Sequence, residues 1–349
     1  MSASEDSPPR LSRRRWSIAA LIGAAMLASA VFVVGRLAIG PAQPRQHTVR
    51  SATGSSWTRG PIALRRFERL TPDGPIRGLV ARLDLRDPML ELVTTEPLSP
   101  DDASADGPGV EARLRRLDAW LDDTRACFAV NANFYGRLPR HDSLLAKARG
   151  WTDGEPVDIL GLAGRGDALV SSARQWNGRP DPSLLIGSDR IARIGFFTDD
   201  DARGVTGPLA HLHAPALIAL SGLGPGADDP ERGTLLVENG RNLGATARPQ
   251  PDKRHPRTAF ATTPDGHTLI IAVIDGRQPD HSIGITLPEL AELLIDEGAD
   301  SAINADGGGS TGMILILSDG SRITNLPSEG RFRPIANHFG VRLRSPAPE

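Results

Sequence analysis

Between Gly150 and Gly233 glycine and proline break the chain so often that short strands are what fit. A domain that must absorb such a stretch cannot be mainly helical, and the flanking segments agree. Leu79, Ala81, Leu83 and Leu85 alternate as a half-buried strand would, Asp87-Pro88 turns the chain, and Met89 to Thr94 resumes as a second strand. Leu114, Leu117 and Leu121, spaced by three and four, predict an amphipathic helix over Val110 to Leu121. Phe128 to Asn131 reads as a short buried strand.

From Leu235 onward the signals sharpen. Leu235 to Gly240 is a strand running into a turn. Arg257 to Thr262 and His267 to Ile274 flank Pro264-Asp265-Gly266 as a hairpin, and Met313 to Leu317 and Arg322 to Thr324 flank Ser318-Asp319-Gly320 as another. Thr286 and Glu289 form a capping box with Pro288 in the first turn, Leu287, Leu290 and Leu294 share a face, and Gly298 stops the helix. Ser301 to Ala305 follows as a strand. Strands dominate and helices punctuate them, so the class is mixed α+β: a strand-rich sheet core with a few flanking helices in a single large domain.

The N-terminal residues carry a different signal. Arg10, Arg13, Arg14 and Arg15 precede an uncharged, mostly apolar stretch from Trp16 to Gly35 that Arg36 closes. At roughly 20 residues the stretch is long enough to cross a bilayer. Basic residues on its N-terminal side predict a cytoplasmic tail (1–15), a transmembrane signal anchor (16–35), a linker (36–60) and an exported domain (61–345). Ala28-Ser29-Ala30 resembles a cleavage site, but Val31 to Val34 continue the apolar run beyond it, which favours the anchor over a cleaved peptide. The expected location is therefore the inner membrane, with the domain periplasmic or extracellular.

The formal net charge is only -2, which argues against a duplex nucleic-acid partner. Cys127 is the single cysteine, so no intrachain disulfide forms; its apolar neighbours mark it as a small buried hydrophobe.

Asn304-Ala305-Asp306-Gly307-Gly308-Gly309-Ser310-Thr311 is the segment that most invites chemistry. Three glycines cost backbone entropy and contribute no packing, but they let a substrate approach the backbone and let amides converge on an anion. Asp306 beside them is placed to be an acid, a base or a ligand; the plain alternative is a tight turn capped by Asp. It is not a nucleotide P-loop, because the lysine of that motif is missing. Asp275-Gly276-Arg277 ends a strand in the same way, and Arg254-His255-Pro256-Arg257 offers phosphate-binding guanidiniums. Asn131 and Asn133 alternate onto one face with Tyr135, the only tyrosine, beside them. They suit sugar hydroxyls, or equally serve as turn caps. His211-Leu212-His213 presents two imidazoles on one strand face, without a third metal ligand. Asp199-Asp200-Asp201 reads as a solvated loop, with calcium as the alternative.

Taken together, Asn131 to Gly136, Leu236 to Gly240, Arg254 to Ala259, Asp275 to Gln278, the helix from Thr286 and Asn304 to Thr311 resemble the phosphodiester glycosidase family. Arg333-Pro334-Ile335-Ala336-Asn337 looks like its closing strand, so the resemblance covers Arg125 to Leu343. Two departures stand out. Ala132 and Asn133 replace glycines of the family's first motif, and His338-Phe339 stand where it usually has small residues.

The resemblance implies hydrolysis of the bond between a sugar's anomeric carbon and a phosphodiester oxygen, in a cell-surface or exopolysaccharide-type glycan. No cofactor is required by that chemistry. The leaving group is a stabilised anion, so less is asked of a general acid than in ordinary glycosidases. The implied division has Arg257, Arg277 and the Gly307, Gly308 and Gly309 amides, with Ser310, on the phosphate. Asp306 and Asp275 are the two carboxylates, and Asn131, Asn133 and Asn304 orient the sugar. The competing readings are a non-catalytic module that binds phosphorylated glycan, a metal-dependent phosphoesterase cutting at phosphorus, and an envelope scaffold.

Overall fold

The computed structural model describes residues 55–176, 178–223 and 233–344, all within one unit, Val49–Glu349. The proposed anchor at 16–35 lies outside these residues. Among the described residues no helix is long and apolar enough to cross a membrane.

The described chain opens with β1 (Ser56–Arg59), β2 (Ile62–Thr71), β3 (Gly74–Asp84) and β4 (Leu90–Thr94). Strand β1 falls inside the stretch read as linker, because Trp57 and its neighbours pair with Ala63, Leu64 and Arg65 of β2. The predicted helix over Val110 to Leu121 is shorter and later: α1 spans Leu117–Thr124. Upstream of it Ala112 and Leu114 are buried while Arg113 and Arg115 face out, a period of two that the leucine spacing hid. Next come β5 (Phe128–Asn131), β6 (Ala163–Arg165), β7 (Ala168–Ser171), β8 (Pro182–Ile186), β9 (Ala192–Phe196) and β10 (Ile218–Ser221). His211 and His213 lie on no strand. A 3₁₀ turn spans Gly207–Leu212, His213 is left-handed, and both imidazoles are exposed. Asp199–Ala202 is a short helix whose Asp201 completes a capping box with Thr198.

The C-terminal part holds β11 (Leu235–Glu238), β12 (Arg241–Asn242), β13 (Arg257–Thr262), β14 (Thr268–Ile274), α2 (Leu287–Asp296), β15 (Ser301–Asn304), β16 (Met313–Ile316), β17 (Arg322–Thr324) and β18 (His338–Leu343). Thr286 and Glu289 cap α2 reciprocally, and a two-pronged contact from Arg254 at 2.7 and 3.0 Å holds Glu289 in place. The closing strand is β18, which carries His338 and Phe339 as read but begins only after Arg333 to Asn337. Pro334 and Ile335 make only a two-residue pairing with Arg116 and Arg115.

Every ladder in the three main sheets is antiparallel. The large sheet runs β1-β2-β3-β14-β13-β15-β11-β12, the second β17-β16-β5-β18-β4 and the third β7-β6-β10-β8-β9. Alternation gives the large sheet two apolar faces. Ala259, Ala261, Ala302, Ile270 and Ala272 meet Leu287, Leu290, Leu293 and Leu294 of α2. On the other face Phe260, Ile271, Val273 and Ile303 meet Phe128, Val130, Phe339 and Val341 of the second sheet and Leu184, Ile186, Ile218 and Leu220 of the third. Phe260 sets its ring edge to Phe339 at 5.8 Å across that seam. Cys127 is part of the same core, buried as its neighbours predict. Strand β13 sits between β14 and β15 in the large sheet, so side chains at one end of these three strands share a rim.

Candidate active site

At that rim β15 runs out. Ala305 still donates to the Thr258 carbonyl at 2.8 Å, Asp306 turns to donate to the Ala132 carbonyl at 3.0 Å, and Gly308–Ser310 closes a 3₁₀ turn. The three glycines are explained by what surrounds them. A Cβ on Gly307 would stand 2.7 Å from the Pro256 carbonyl oxygen, and one on Gly309 would collide with the Arg333 guanidinium and the Glu329 carboxylate. Gly308 has φ +61 and lies against the Arg277 guanidinium. Two of the three amides are already engaged: Gly307 donates to Asp306 Oδ1 and Gly308 to the Pro256 carbonyl, both at 2.9 Å. Gly309 alone of the three donates to none of the described residues. The expectation that all three amides hold an anion is corrected to one.

The Asp306 carboxyl is pushed up to about 6. Burial raises it, against the Ser310 hydroxyl, the Arg333 charge and the Gly307 amide. Tyr135 and Arg333 complete this group. The phenol donates to the Pro334 carbonyl at 3.0 Å and is held above its ordinary range by burial and by the Asp306 charge, while Arg333 pairs with Glu329. Tyr135 and Arg333 both lie inside motifs quoted from the sequence, but neither was given a role in the site. The only available signals were that Tyr135 is the single tyrosine and that Arg333 precedes a proline.

Buried polar atoms almost always find a partner. Here Asn304 is 1% exposed, yet neither its Oδ1 nor its Nδ2 bonds to any described residue. The same holds for Thr311 Oγ1, Arg257 Nε, His255 Nδ1 and Ser328 Oγ. Ladder register puts Asn304 opposite Ala259, so Asn304 and Arg257 lie on one face of the large sheet. Nearby, Arg277 is exposed with φ +61, and its guanidinium makes no ion pair or hydrogen bond among the described residues. A free guanidinium beside a glycine turn, with orphaned donors and acceptors near it, has the chemistry to receive an anion and hydroxyl groups.

Other residues named from the sequence have structural work. Asn131 donates to the Asp306 carbonyl at 2.6 Å and accepts from Thr258 Oγ1 at 2.7 Å and the Gly312 amide at 3.1 Å, clamping the glycine loop to β13. Asn133 is spent on Leu160, Leu162, Ser221 and Asn337. Both amides frame the site, and their side-chain atoms are occupied by protein. Arg257 is 3% exposed and binds the Pro249, Gln250 and Lys253 carbonyls at 3.1, 2.9 and 3.2 Å, so it organises that loop. Burial, with the Arg277 charge, lowers it to about 10, which still leaves it cationic at neutral pH. Asp275 shares no partner with Asp306. Its carboxylate accepts from His281 Nε2 and Asn325 Nδ2, both at 2.8 Å, and from the Leu326 amide at 3.2 Å. It lines a separate cavity with Glu68, Arg77 and Thr324. A further cavity of about 690 Å³, walled by Trp120, His338 and Thr94, lies away from the glycine turn. Among the described residues no group of three or more His, Cys, Asp or Glu is placed to hold a metal ion.

Residues 219–342, which carry β13 to β16 and the glycine turn, match the family model described as phosphodiester glycosidase. The resemblance read from the motifs therefore holds for the C-terminal part of the chain, in a family of glycosidases acting on phosphodiesters. Among solved structures, the catalytic domain of zebrafish N-acetylglucosamine-1-phosphodiester alpha-N-acetylglucosaminidase, auto-inhibited by its pro-peptide, superposes with a TM-score of 0.53. That alignment covers 85% of this chain and 89% of that one at 18% identity, a likeness of fold. A hypothetical protein from Synechocystis reaches 0.49 at 16% identity, covering 86% of this chain and 65% of that one. An uncharacterised SPbeta prophage-derived protein of Bacillus subtilis is 37% identical over 88 residues, which are 25% of this chain and 13% of the relative's own length.

Proposed function

We propose that this protein hydrolyses the glycosyl C1–O–P linkage of a sugar-1-phosphodiester, outside the cytoplasm, in a cell-surface or exopolysaccharide-type glycan. The observation that carries the reading is the set of orphaned buried polar atoms around an unpaired arginine and a glycine turn. Arg277 and the Gly309 amide take the phosphate, with the buried charge of Arg257 behind them. Asn304 and Thr311 supply the otherwise unmatched hydrogen bonds to sugar hydroxyls. Asp306, ionised, faces the oxocarbenium-like carbon or accepts a proton from the attacking water. The C1–O bond breaks with its electrons on the departing phosphate monoester, and water oxygen forms the new bond at C1. Asp275 is a positioning residue, because its lone pairs are engaged by His281, Asn325 and Leu326. An exported location is supported by the arginine-flanked apolar stretch from Trp16 to Gly35.

Turnover of a sugar-1-phosphodiester in isotopically labelled water tests the reading. Label on the sugar supports it. Label on phosphate makes the protein a phosphoesterase, and chelator sensitivity would then point to a metal. Binding without turnover leaves a glycan-binding module.

A further inference from the structure

A loop leaves the candidate site at Tyr135–Gly136 and returns at Trp151. Its root is firm. The Trp151 ring meets Tyr135 edge-on at 4.9 Å, Arg137 lies 4.0 Å over Trp151, and a buried ion pair at 2.5 Å joins Arg137 to Glu155. Its tip carries the short helix Leu144–Arg149, capped by Ser143, in which only Ala146 is buried. Leu144 is 87% exposed and Leu145 77%, the most exposed large apolar side chains among the described residues. Single exposed leucines are ordinary, but two in succession on one short helix are not.

The surroundings of the pair are cationic. Arg140, Lys147 and Arg149 are exposed around it, Arg140 also donating to the Pro108 carbonyl at 2.8 Å, and the exposed Asp153 lines a cavity with Arg140 and Arg149. The sole acid of the tip, Asp142, is neutralised by Lys147 at 2.9 Å, and Arg149 meets no acid among the described residues. An apolar point within a basic collar matches the boundary between acyl chains and anionic headgroups. A protein partner would be met by a broader, flatter apolar patch. We propose that this tip is a membrane-docking element, with Leu144 and Leu145 inserting among acyl chains of an anionic bilayer while Arg140, Lys147 and Arg149 lie against its headgroups. Docking would hold at the lipid surface the loop that begins at Tyr135–Gly136, at the edge of the candidate site. If the hydrolase reading holds, that favours phosphodiesters whose leaving group is lipid-borne; the docking itself does not depend on that reading.

The test uses the full chain carrying Leu145→Cys labelled with an environment-sensitive fluorophore. A second variant, Val205→Cys, labels a residue 65% exposed elsewhere on the surface, and Cys127 is buried in the core. Both are mixed with vesicles of phosphatidylcholine, with or without phosphatidylglycerol, containing lipids that bear a quencher in the acyl chain. The expected result is a blue shift and quenching at position 145 on anionic vesicles, little on neutral ones and none at 205. Adding Leu144→Glu and Arg149→Glu should abolish the response; both sites are exposed, so folding is unaffected. Equal quenching at 145 and 205, no quenching at either, or protection of 145 without lipid would each overturn the proposal. Because no turnover is read, failure here is separate from failure of the hydrolase reading.

Discussion

Asp275 and Asp306 each follow a strand of the large sheet and each precede a glycine, and the protein treats their carboxylates in opposite ways. Asp275 is 3% exposed and receives hydrogen bonds from an imidazole, an amide side chain and a backbone amide. Asp306 accepts one backbone bond at 2.9 Å and otherwise faces a hydroxyl, a phenol and a guanidinium. Burial raises both, but only Asp306 keeps lone pairs for something outside the fold. A saturated carboxylate holds a structure together, whereas an undersatisfied one, with only the Glu329-paired Arg333 for a cationic neighbour, is open to a ligand.

The comparison breaks most sharply in paired variants. Asp306→Asn should lower turnover of a sugar-1-phosphodiester on the order of 10³-fold while the denaturation midpoint stays close to wild type. Asp275→Ala should instead lose about 3 kcal/mol in urea unfolding, since it strands buried donors of Asn325 and Leu326. Near-wild-type turnover in a folded Asp306→Asn protein would remove Asp306 from the mechanism. With Asp306 acting as carboxylate, the wild-type rate should rise as pH passes through about 6, and the Asn variant should lack that limb. Stability runs the other way. The raised group holds its proton in the fold over a window where the unfolded chain has released it, so Asp306 costs stability as pH climbs towards about 6. The Asn variant should gain on wild type across that window.

A smaller separation is expected between the arginines. Arg277→Ala, on an exposed and unpaired side chain, should raise KM by about tenfold with an unchanged melting temperature, the loss of one charge-assisted contact. Arg257→Ala frees three carbonyls and should lower stability by about 2 kcal/mol, whatever it does to substrate binding. The smallest change is in the stability of Asn304→Ala, expected within about 1 kcal/mol of wild type because the side chain bonds to no described residue. Its turnover should still fall, and a large stability loss would show that Asn304 is part of the frame.

Local chemistry was legible in the sequence. The hairpin around Pro264-Asp265-Gly266, the capped helix from Thr286 and the buried strand Phe128–Asn131 stand where alternation and capping put them. The helix before Thr124 was misplaced because Leu114, Leu117 and Leu121 satisfy a helical spacing that Ala112 and Arg113 contradict. In the site, the triple glycine pointed to the right rim. What was hidden depended on distant partners: Asn131 is claimed by Thr258, 127 residues on, and Asn133 by Asn337, 204 residues on. No local pattern could distinguish such clamps from ligands, or find Arg333 beside Gly309.

The order of the large sheet bears on how the molecule is made. Strands β2 and β3 form a local hairpin early in the domain, but the next neighbour of β3 is β14, which begins at Thr268. Strand β4 pairs with β18 and β5 lies between β16 and β18, so the second sheet closes only when the last strand arrives. Loop closure over such spans is slow, and until it happens the edge of β3 and both edges of β5 stay open to mispairing. Because the glycine turn is clamped by β5 and β13, the rim that carries the candidate site is among the last parts to assemble. Losing β18 should therefore abolish the fold and not merely trim it, and a nascent chain would need protection until that strand has emerged.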